Sequence, residues 1–483
     1  MNKIFKNSIF NTIYTLLNVT FPIITSMYIS RELLPHGVGV VSYAQTTVSY
    51  FVAFASSGIS IYAIREFAKA REDKEERNKV FTELFVFNVI TSSIALVAYC
   101  VMVFVIGEFR SELMLYFCCG LLIIFQFINI DWMYQGLEQY GYITVRSFVV
   151  KTASFICILL FVKTKEDYVI YALISSLAIG SNNVFNIIHA RKYVRLVRNI
   201  SLKKHIAPIV YIALCVYLSA IYNKVDVSML GIITTKESVG YYSYAHRIIE
   251  IVITLCVSVS TVFMPQMSVL YGKDKEKFER LVDIGIRVLL FISVPAAVGI
   301  FILAPQTISL MLGASFIPAS ATVRILTAMI IIKPMANLLC YQLIISTGNE
   351  QKRLPAFIIA VVLNIGLNSF MIPLWQHNGA ALASVISELA INTVLVVIIA
   401  KLVHIRVDIP TLLKVLAATA LMAAPVVCAV VFIKSTVWQL VVGAVGGTIV
   451  YIGANALLKN SIMMMVFKKI ASRFKKKKQT DEQ

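Results

Sequence analysis

Charge is scarce in this chain. Only 14% of its 483 residues are charged, against about 25% in a soluble domain, so the chain cannot clothe a water-facing surface. Several motifs are missing too. No Gly-x-x-x-x-Gly-Lys-Ser/Thr loop occurs, so the chain carries no ATPase of its own. No His-Glu-x-x-His, no Gly-x-Ser-x-Gly and no pair of catalytic carboxylates in a long loop appear, and the expectation is a non-enzyme. None of the eight cysteines has metal-ligand spacing with histidine, and all fall inside apolar segments, so neither a metal nor another cofactor is expected. The first apolar run, Ser8 to Ser30, is too long for a cleavable signal and lacks a small-x-small cleavage site. It is expected to remain as an anchor. No basic face is interleaved with exposed aromatics, which argues against a nucleic-acid partner despite the formal charge of +19.

What is present is hydrophobic length. Hydrophobic residues make up 59% of the chain, with a mean hydropathy of +0.81. A bilayer core needs about 20 apolar residues per helix. Fourteen runs qualify: 8–30, 40–64, 81–106, 113–135, 144–162, 168–189, 206–231, 240–264, 284–304, 321–346, 354–374, 380–403, 411–433 and 437–458. The runs are continuous and not alternating, which excludes a β-barrel.

The basic residues order these spans. Arg65, Lys69, Arg71, Lys74, Arg77 and Lys79 crowd one connection. Arg191, Lys192, Arg195, Arg198, Lys203 and Lys204 crowd another, and Lys475 to Lys478 lie in the C-terminal tail. The alternate connections hold only Arg31, Arg110, Lys163, Lys165, Lys236 and Lys434. A missed helix would invert every later loop, so the positive-inside rule supports the count and puts both termini in the cytoplasm. The tail from Ser461 to Lys478 has an apolar helical face and reads as an interfacial helix with a topogenic charge cluster.

Val38-Gly39-Val40-Val41-Ser42-Tyr43-Ala44 and Val239-Gly240-Tyr241-Tyr242-Ser243-Tyr244-Ala245 agree at five of seven positions at an offset of 201. Each copy opens the second helix of a half. Six spans per half is even, so both halves start on the same side and the repeat is parallel. The expected class is an all-α integral membrane protein of about 14 transmembrane helices. Two six-helix lobes (1–200 and 201–405) form a parallel pseudo-repeat, followed by an appended helix pair (406–460) and a basic tail (461–483).

A charge within a span costs at least about 2.5–3.5 kcal/mol on insertion scales and so faces a cavity or a partner. Lys224, Arg247, Arg324 and Lys333, with Lys151 in the first lobe, form a candidate cationic lining suited to an anionic solute such as a phosphate. Asp226, Glu250, Glu388 and Asp131 are candidates for binding a coupling cation or proton. The bland alternative is mutual pairing: Asp226 with Arg247, Glu250 with Lys224, Asp131 with Lys151. Asn11, Asn18, Asn223, Asn364, Asn368 and Gln342 add amides suited to sugar hydroxyls or to interhelical hydrogen bonds. Pro22, Pro265, Pro295, Pro334 and Pro425 mark candidate kinks.

Three stretches resemble bacterial oligosaccharide repeat-unit flippases, the polysaccharide-transporter branch of the multidrug/oligosaccharidyl-lipid/polysaccharide exporter superfamily. They are Gly37 through Ala70, Asn129-Ile130-Asp131-Trp132-Met133-Tyr134-Gln135-Gly136-Leu137-Glu138, and Asn223 to Ala245. The resemblance implies flipping of undecaprenyl-pyrophosphate-linked oligosaccharide from the inner to the outer leaflet of the bacterial plasma membrane. It also implies alternating access between the lobes, coupling to a proton or sodium ion, and a polysaccharide polymerase acting downstream. Asp226, Asp131 and Trp132 match the family pattern; the cationic set is inferred from depth alone. Two competing readings remain within the superfamily, a cation-coupled multidrug exporter and a peptidoglycan-precursor flippase. A membrane-embedded enzyme would need a large outer loop or an intramembrane dyad.

Overall fold

A computed structural model describes residues 2–56, 58–271, 273–343, 353–400, 408–465 and 467, and these contain helices and turns without a strand. The first half contains α1 (Asn2–Ser56), α2 (Ile59–Lys69), α3 (Lys74–Val105), α4 (Gly107–Ser111), α5 (Leu113–Gln126), α6 (Asp131–Gly136), α7 (Tyr140–Phe161) and α8 (Tyr168–Ala190). The second contains α9 (Lys203–Ile233), α10 (Lys236–Thr261), α11 (Met264–Leu270), α12 (Lys275–Ile302), α13 (Ala304–Leu312), α14 (Ser320–Leu326) and α15 (Met329–Ala336). A π-helical turn, Asn337–Gln342, continues α15. It is followed by α16 (Arg353–Ala400), α17 (Ile409–Phe432) and α18 (Thr436–Leu457).

Ten of the described helices are long and apolar enough to cross a membrane, or eleven with the pair Ala314–Leu326 and Met329–Leu339, bent by 46°. Two of the ten are too long for one crossing. At 1.5 Å per residue, the 55 residues of α1 would run about 80 Å, far beyond a core of about 30 Å. Each long helix is broken by a residue with positive φ: Leu34 (φ 58°) in α1 and Gln376 (φ 47°) in α16. Splitting at these two breaks, and adding the shorter apolar helix Leu113–Gln126, brings the segments to the expected fourteen. The tail beyond residue 467 lies outside the described residues.

The chain packs as two compact units, Met1–Ser243 and Tyr244–Gln483. Within the first, the two copies of the repeat cross each other. A Cβ on Gly39 would lie 1.6 Å from the Lys236 carbonyl oxygen, and a Cβ on Gly240 would lie 2.1 Å from the Pro35 carbonyl oxygen. His36 Nδ1 lies 2.8 Å from Glu237 Oε1. Residues 35, 36 and 39 differ from 236, 237 and 240 by the repeat offset of 201, so the contact is reciprocal, as around a local two-fold axis. Only glycine permits backbones to approach this closely.

From that crossing, α9 runs antiparallel to the second part of α1 and to α2. The Tyr50 and Ser228 hydroxyls bond at 2.9 Å, Phe54 meets Tyr217 edge-on at 6.4 Å, and Tyr62 Oη meets His205 Nδ1 at 2.9 Å. The connection before α9 is tied to α3 by side chains that accept its amides. Asn78 Oδ1 accepts from Arg195 N at 2.9 Å, Thr82 Oγ1 from Val197 N at 3.1 Å, and Glu83 Oε1 from Ser201 N at 2.9 Å. Glu83 is fully buried and takes Lys204 and His205 on its other oxygen, each at 2.9 Å.

In the second unit α17 and α18 form a hairpin against α12. There the Tyr451 hydroxyl donates to the Phe291 carbonyl at 2.7 Å. These helices, with Val252 of α10, line an open apolar slot of about 480 Å³.

Candidate functional site

The charged side chains of the spans fall into separate clusters. In the first unit, α6 begins at Asp131, and its carboxylate is held by Arg146 Nη1 at 3.0 Å and by the Asn186 amide. The Arg146 guanidinium also donates to Asn186 Oδ1 and lies 5.8 Å from the Tyr142 ring centroid. The alternative pairing of Asp131 with Lys151 is therefore not the one observed. Five residues separate 146 from 151, which places the two side chains about 140° apart around α7. Lys151 instead donates to the Leu17 carbonyl at 3.4 Å and to Asn18 Oδ1.

Asp226 is buried on α9, and the Tyr242 hydroxyl donates to its Oδ2 at 2.7 Å. Ser228, two residues on, carries the bond to Tyr50. Lys224, one turn before Ser228, is exposed.

In the second unit Arg247 and Glu250 lie on α10 and Lys333 on α15. Tyr244, Arg247 and Glu250 are spaced by three, so they lie close together on α10. The Arg247 guanidinium sits 5.1 Å from the Tyr244 ring centroid, within cation–π range. Glu250 Oε2 accepts from Lys333 Nζ at 3.3 Å, so its ion pair is with Lys333 and not with Lys224, the alternative partner. The pair is half-exposed, at 47% for Glu250 and 21% for Lys333.

Lys333 occupies a short α-helical stretch between two irregularities, the bend at Thr327 and Ala328 and the π-helical turn. The π turn carries its own polar cluster. Ser260 Oγ donates to Asn337 Oδ1 at 3.0 Å, and Gln342 Nε2 donates to Ser260 Oγ at 3.1 Å and Asn337 Oδ1 at 2.9 Å. Glu250 to Ser260 on α10 and Lys333 to Asn337 beyond it advance together, so the two spans run in parallel, as two even-numbered spans should.

Two candidate residues stand apart from this group. Arg324 is exposed, donates through Nε to the Phe301 carbonyl at 3.2 Å and lies 5.7 Å from the Phe301 ring centroid. Glu388 is half-buried on α16, with both its carbonyl and its Oε1 accepting from Asn392 Nδ2, at 2.6 and 3.1 Å. No group of three or more metal-ligating side chains is found among the described residues.

Sequence reasoning passed over Arg146 and its partner Asn186. It also passed over the buried set Tyr62, Glu83, His205. The available signal was Glu83 itself, a carboxylate just inside an apolar run.

Residues 4–270 match the family described as polysaccharide biosynthesis protein. The chain belongs to that family. Residues 212–370 match the MatE family as well, and together these place the chain among the membrane transporters of the multidrug/oligosaccharidyl-lipid/polysaccharide exporter superfamily. A putative O-antigen transporter of Escherichia coli (strain K12) is 20% identical over 399 residues, covering 82% of this chain and 96% of that relative. The fold is similar to that of lipid II flippase MurJ in an inward closed conformation. The TM-score is 0.77 at 17% identity, over 94% of this chain and 99% of the other. It is also similar to an inward-facing multidrug resistance MATE family transporter, at a TM-score of 0.62 and 16% identity, over 78% and 92%. Within the family, the segment Gly37 through Ala70 lies inside the matched range, and so does its crossing with residues 236–240.

Proposed function

We propose that the protein flips undecaprenyl-pyrophosphate-linked oligosaccharide repeat units from the inner to the outer leaflet of the bacterial plasma membrane. It does so by alternating access coupled to a proton or cation and serves O-antigen, capsule or exopolysaccharide assembly. The observation that carries this reading is the cation set on α10 and α15, Arg247 beside Tyr244 and Lys333 beside Glu250, in a member of a polysaccharide biosynthesis family. A guanidinium and an ammonium held within a span suit a pyrophosphate. A drug exporter for cationic amphiphiles would place the opposite charge there. The similarity to a putative O-antigen transporter along most of the chain favours a polysaccharide repeat unit over a peptidoglycan precursor.

In this mechanism Lys333 exchanges Glu250 for the substrate's phosphate when substrate enters, and Glu250 is left to take a proton or cation. Asp226 is the second coupling group, and Asp131 and Glu388 are further candidates. Lys224, Lys151 and Arg324 belong to the wider cationic set. The reciprocal crossing near His36 and Glu237 closes the outer mouth in the inward-facing state. Both termini lie in the cytoplasm on the strength of the basic loops.

The deciding experiment is deletion of the gene followed by analysis of lipid-linked intermediates. Undecaprenyl-linked oligosaccharide should accumulate on the inner leaflet, and its sugars name the substrate. Wild-type levels of that intermediate, with polymer still exported, reject the reading.

A further inference from the structure

The first unit contains an apolar slot of about 500 Å³ between α1, α3 and α9. It exists because α1 ends at Ser56 and the chain resumes as α2 at Ile59, which leaves a wedge between the two flanking helices. Phe54, Phe87, Val210, Leu214 and Tyr217 line it. Its one polar lining group on α3, the Thr91 hydroxyl, is turned away to the Ala55 carbonyl at 2.6 Å. Such a cavity does not hold ordered water, which needs two to four polar partners. Phe54, Val210 and Leu214 are 42%, 57% and 48% exposed, so the slot is open to the side, where hydrocarbon surrounds a membrane protein.

Its inner end is cationic. On α9 the slot residues Val210, Leu214 and Tyr217 follow a spacing of four and three, and Lys203 falls seven residues before Val210. Seven residues is two helical turns, so Lys203 lies on the same face, about 10 Å along the axis. Lys204, its neighbour, is engaged by Glu83. Lys203 is exposed and makes no ion pair among the described residues. One apolar stripe ending in one uncommitted ammonium matches an acyl chain below a phosphate. Basic pockets between spans on the cytoplasmic side attract anionic lipid headgroups in this way.

We propose that this slot is a binding site for an anionic phospholipid of the inner leaflet, one acyl chain lying between α3 and α9 and the phosphate at Lys203. The bound chain fills the wedge where α1 stops and braces α9 against α3. This site is separate from the charged clusters of the spans and does not depend on what the protein transports.

The test is native mass spectrometry of the full-length protein with phosphatidylglycerol, phosphatidylethanolamine or undecaprenyl phosphate added in turn. Phosphatidylglycerol should be retained about tenfold more strongly than phosphatidylethanolamine, a difference of about 1.4 kcal/mol. Lys203→Glu should bring the two phospholipids to parity. Ala53→Phe and Ala213→Phe, which fill the slot from α1 and from α9, should each weaken phosphatidylglycerol retention by about tenfold. Equal retention of the two phospholipids by the wild-type protein overturns the headgroup assignment. Unchanged retention in both filled variants overturns the slot. Stronger retention of undecaprenyl phosphate than of phosphatidylglycerol overturns the phospholipid and makes the glycan carrier the occupant. If the filled variants do not fold, the wild-type competition and Lys203→Glu, at an exposed position, decide the matter.

Discussion

At the residue scale, the Lys333–Glu250 pair distinguishes a working site from a structural one. Lys333→Ala leaves a carboxylate without its partner inside a span, whereas Lys333→Gln with Glu250→Gln removes both charges. A pair that only stabilises the fold recovers in the double variant, because loss of an unpaired charge relieves the cost. A pair that exchanges with a phosphate does not recover export. The expectation is restored protein level and thermal stability in the double variant, with export still reduced at least tenfold, read as surface polymer per cell. Export at the wild-type level in the double variant removes Lys333 from the site. Arg247→Ala is expected to reduce export likewise, without loss of protein.

A second residue-scale expectation concerns acid. In the turn between α7 and α8 the Asp167 carboxylate accepts from the backbone amides of Lys163 (2.9 Å) and Thr164 (2.8 Å). These bonds hold its pKa below the ordinary aspartate value. A depressed carboxylate contributes stability that is fully present above the unfolded value, about 3.9, and is lost as pH falls through the lower folded value. Asp274 is held low in the same sense by Lys277 at the start of α12. The difference in melting temperature between wild type and Asp167→Asn should be constant above pH 5 and shrink below about pH 3.9. A difference that grows on acidification contradicts the sign.

Among the elements, the crossing of the two repeats makes the sharpest demand. Gly39 and Gly240 occupy equivalent places, each against the other copy's backbone, so Gly39→Ala and Gly240→Ala should destabilise by similar amounts. Overpacking of this kind costs about 1–3 kcal/mol, and backbone atoms yield less than side chains do. Thermal unfolding in detergent measures both. A neutral Gly240→Ala beside a damaging Gly39→Ala removes the reciprocity. The breaks at Leu34 and Gln376 belong to this scale as well. Hydropathy locates the two crossings on either side of each break, because each needs about 20 apolar residues. It does not show that the kink between the first two crossings falls at Leu34, directly before Pro35.

For the whole molecule, the expected cycle requires the contact at 36 and 237 to open. A short bifunctional thiol cross-linker joining His36→Cys to Glu237→Cys, in a cysteine-free background, should stop export while leaving the protein in the membrane. Each single-cysteine variant should export normally after the same treatment. Continued export by the cross-linked double variant removes this crossing from the moving parts.

Sequence alone determined the membrane class, the approximate number of crossings and the parallel repeat. These follow from hydrophobic length, loop charge and parity, each a one-dimensional property of the chain. The family was legible for the same reason, since its segments are contiguous. Tertiary structure decided the partners. Asp131 meets Arg146, Glu250 meets Lys333 and Lys151 meets Asn18, because the reach of a side chain depends on its angle around a helix and on which helices pack together. The offset of 201 was visible as an echo of seven residues. That Gly39 and Gly240 lie against each other's copies depended on the backbones crossing in space.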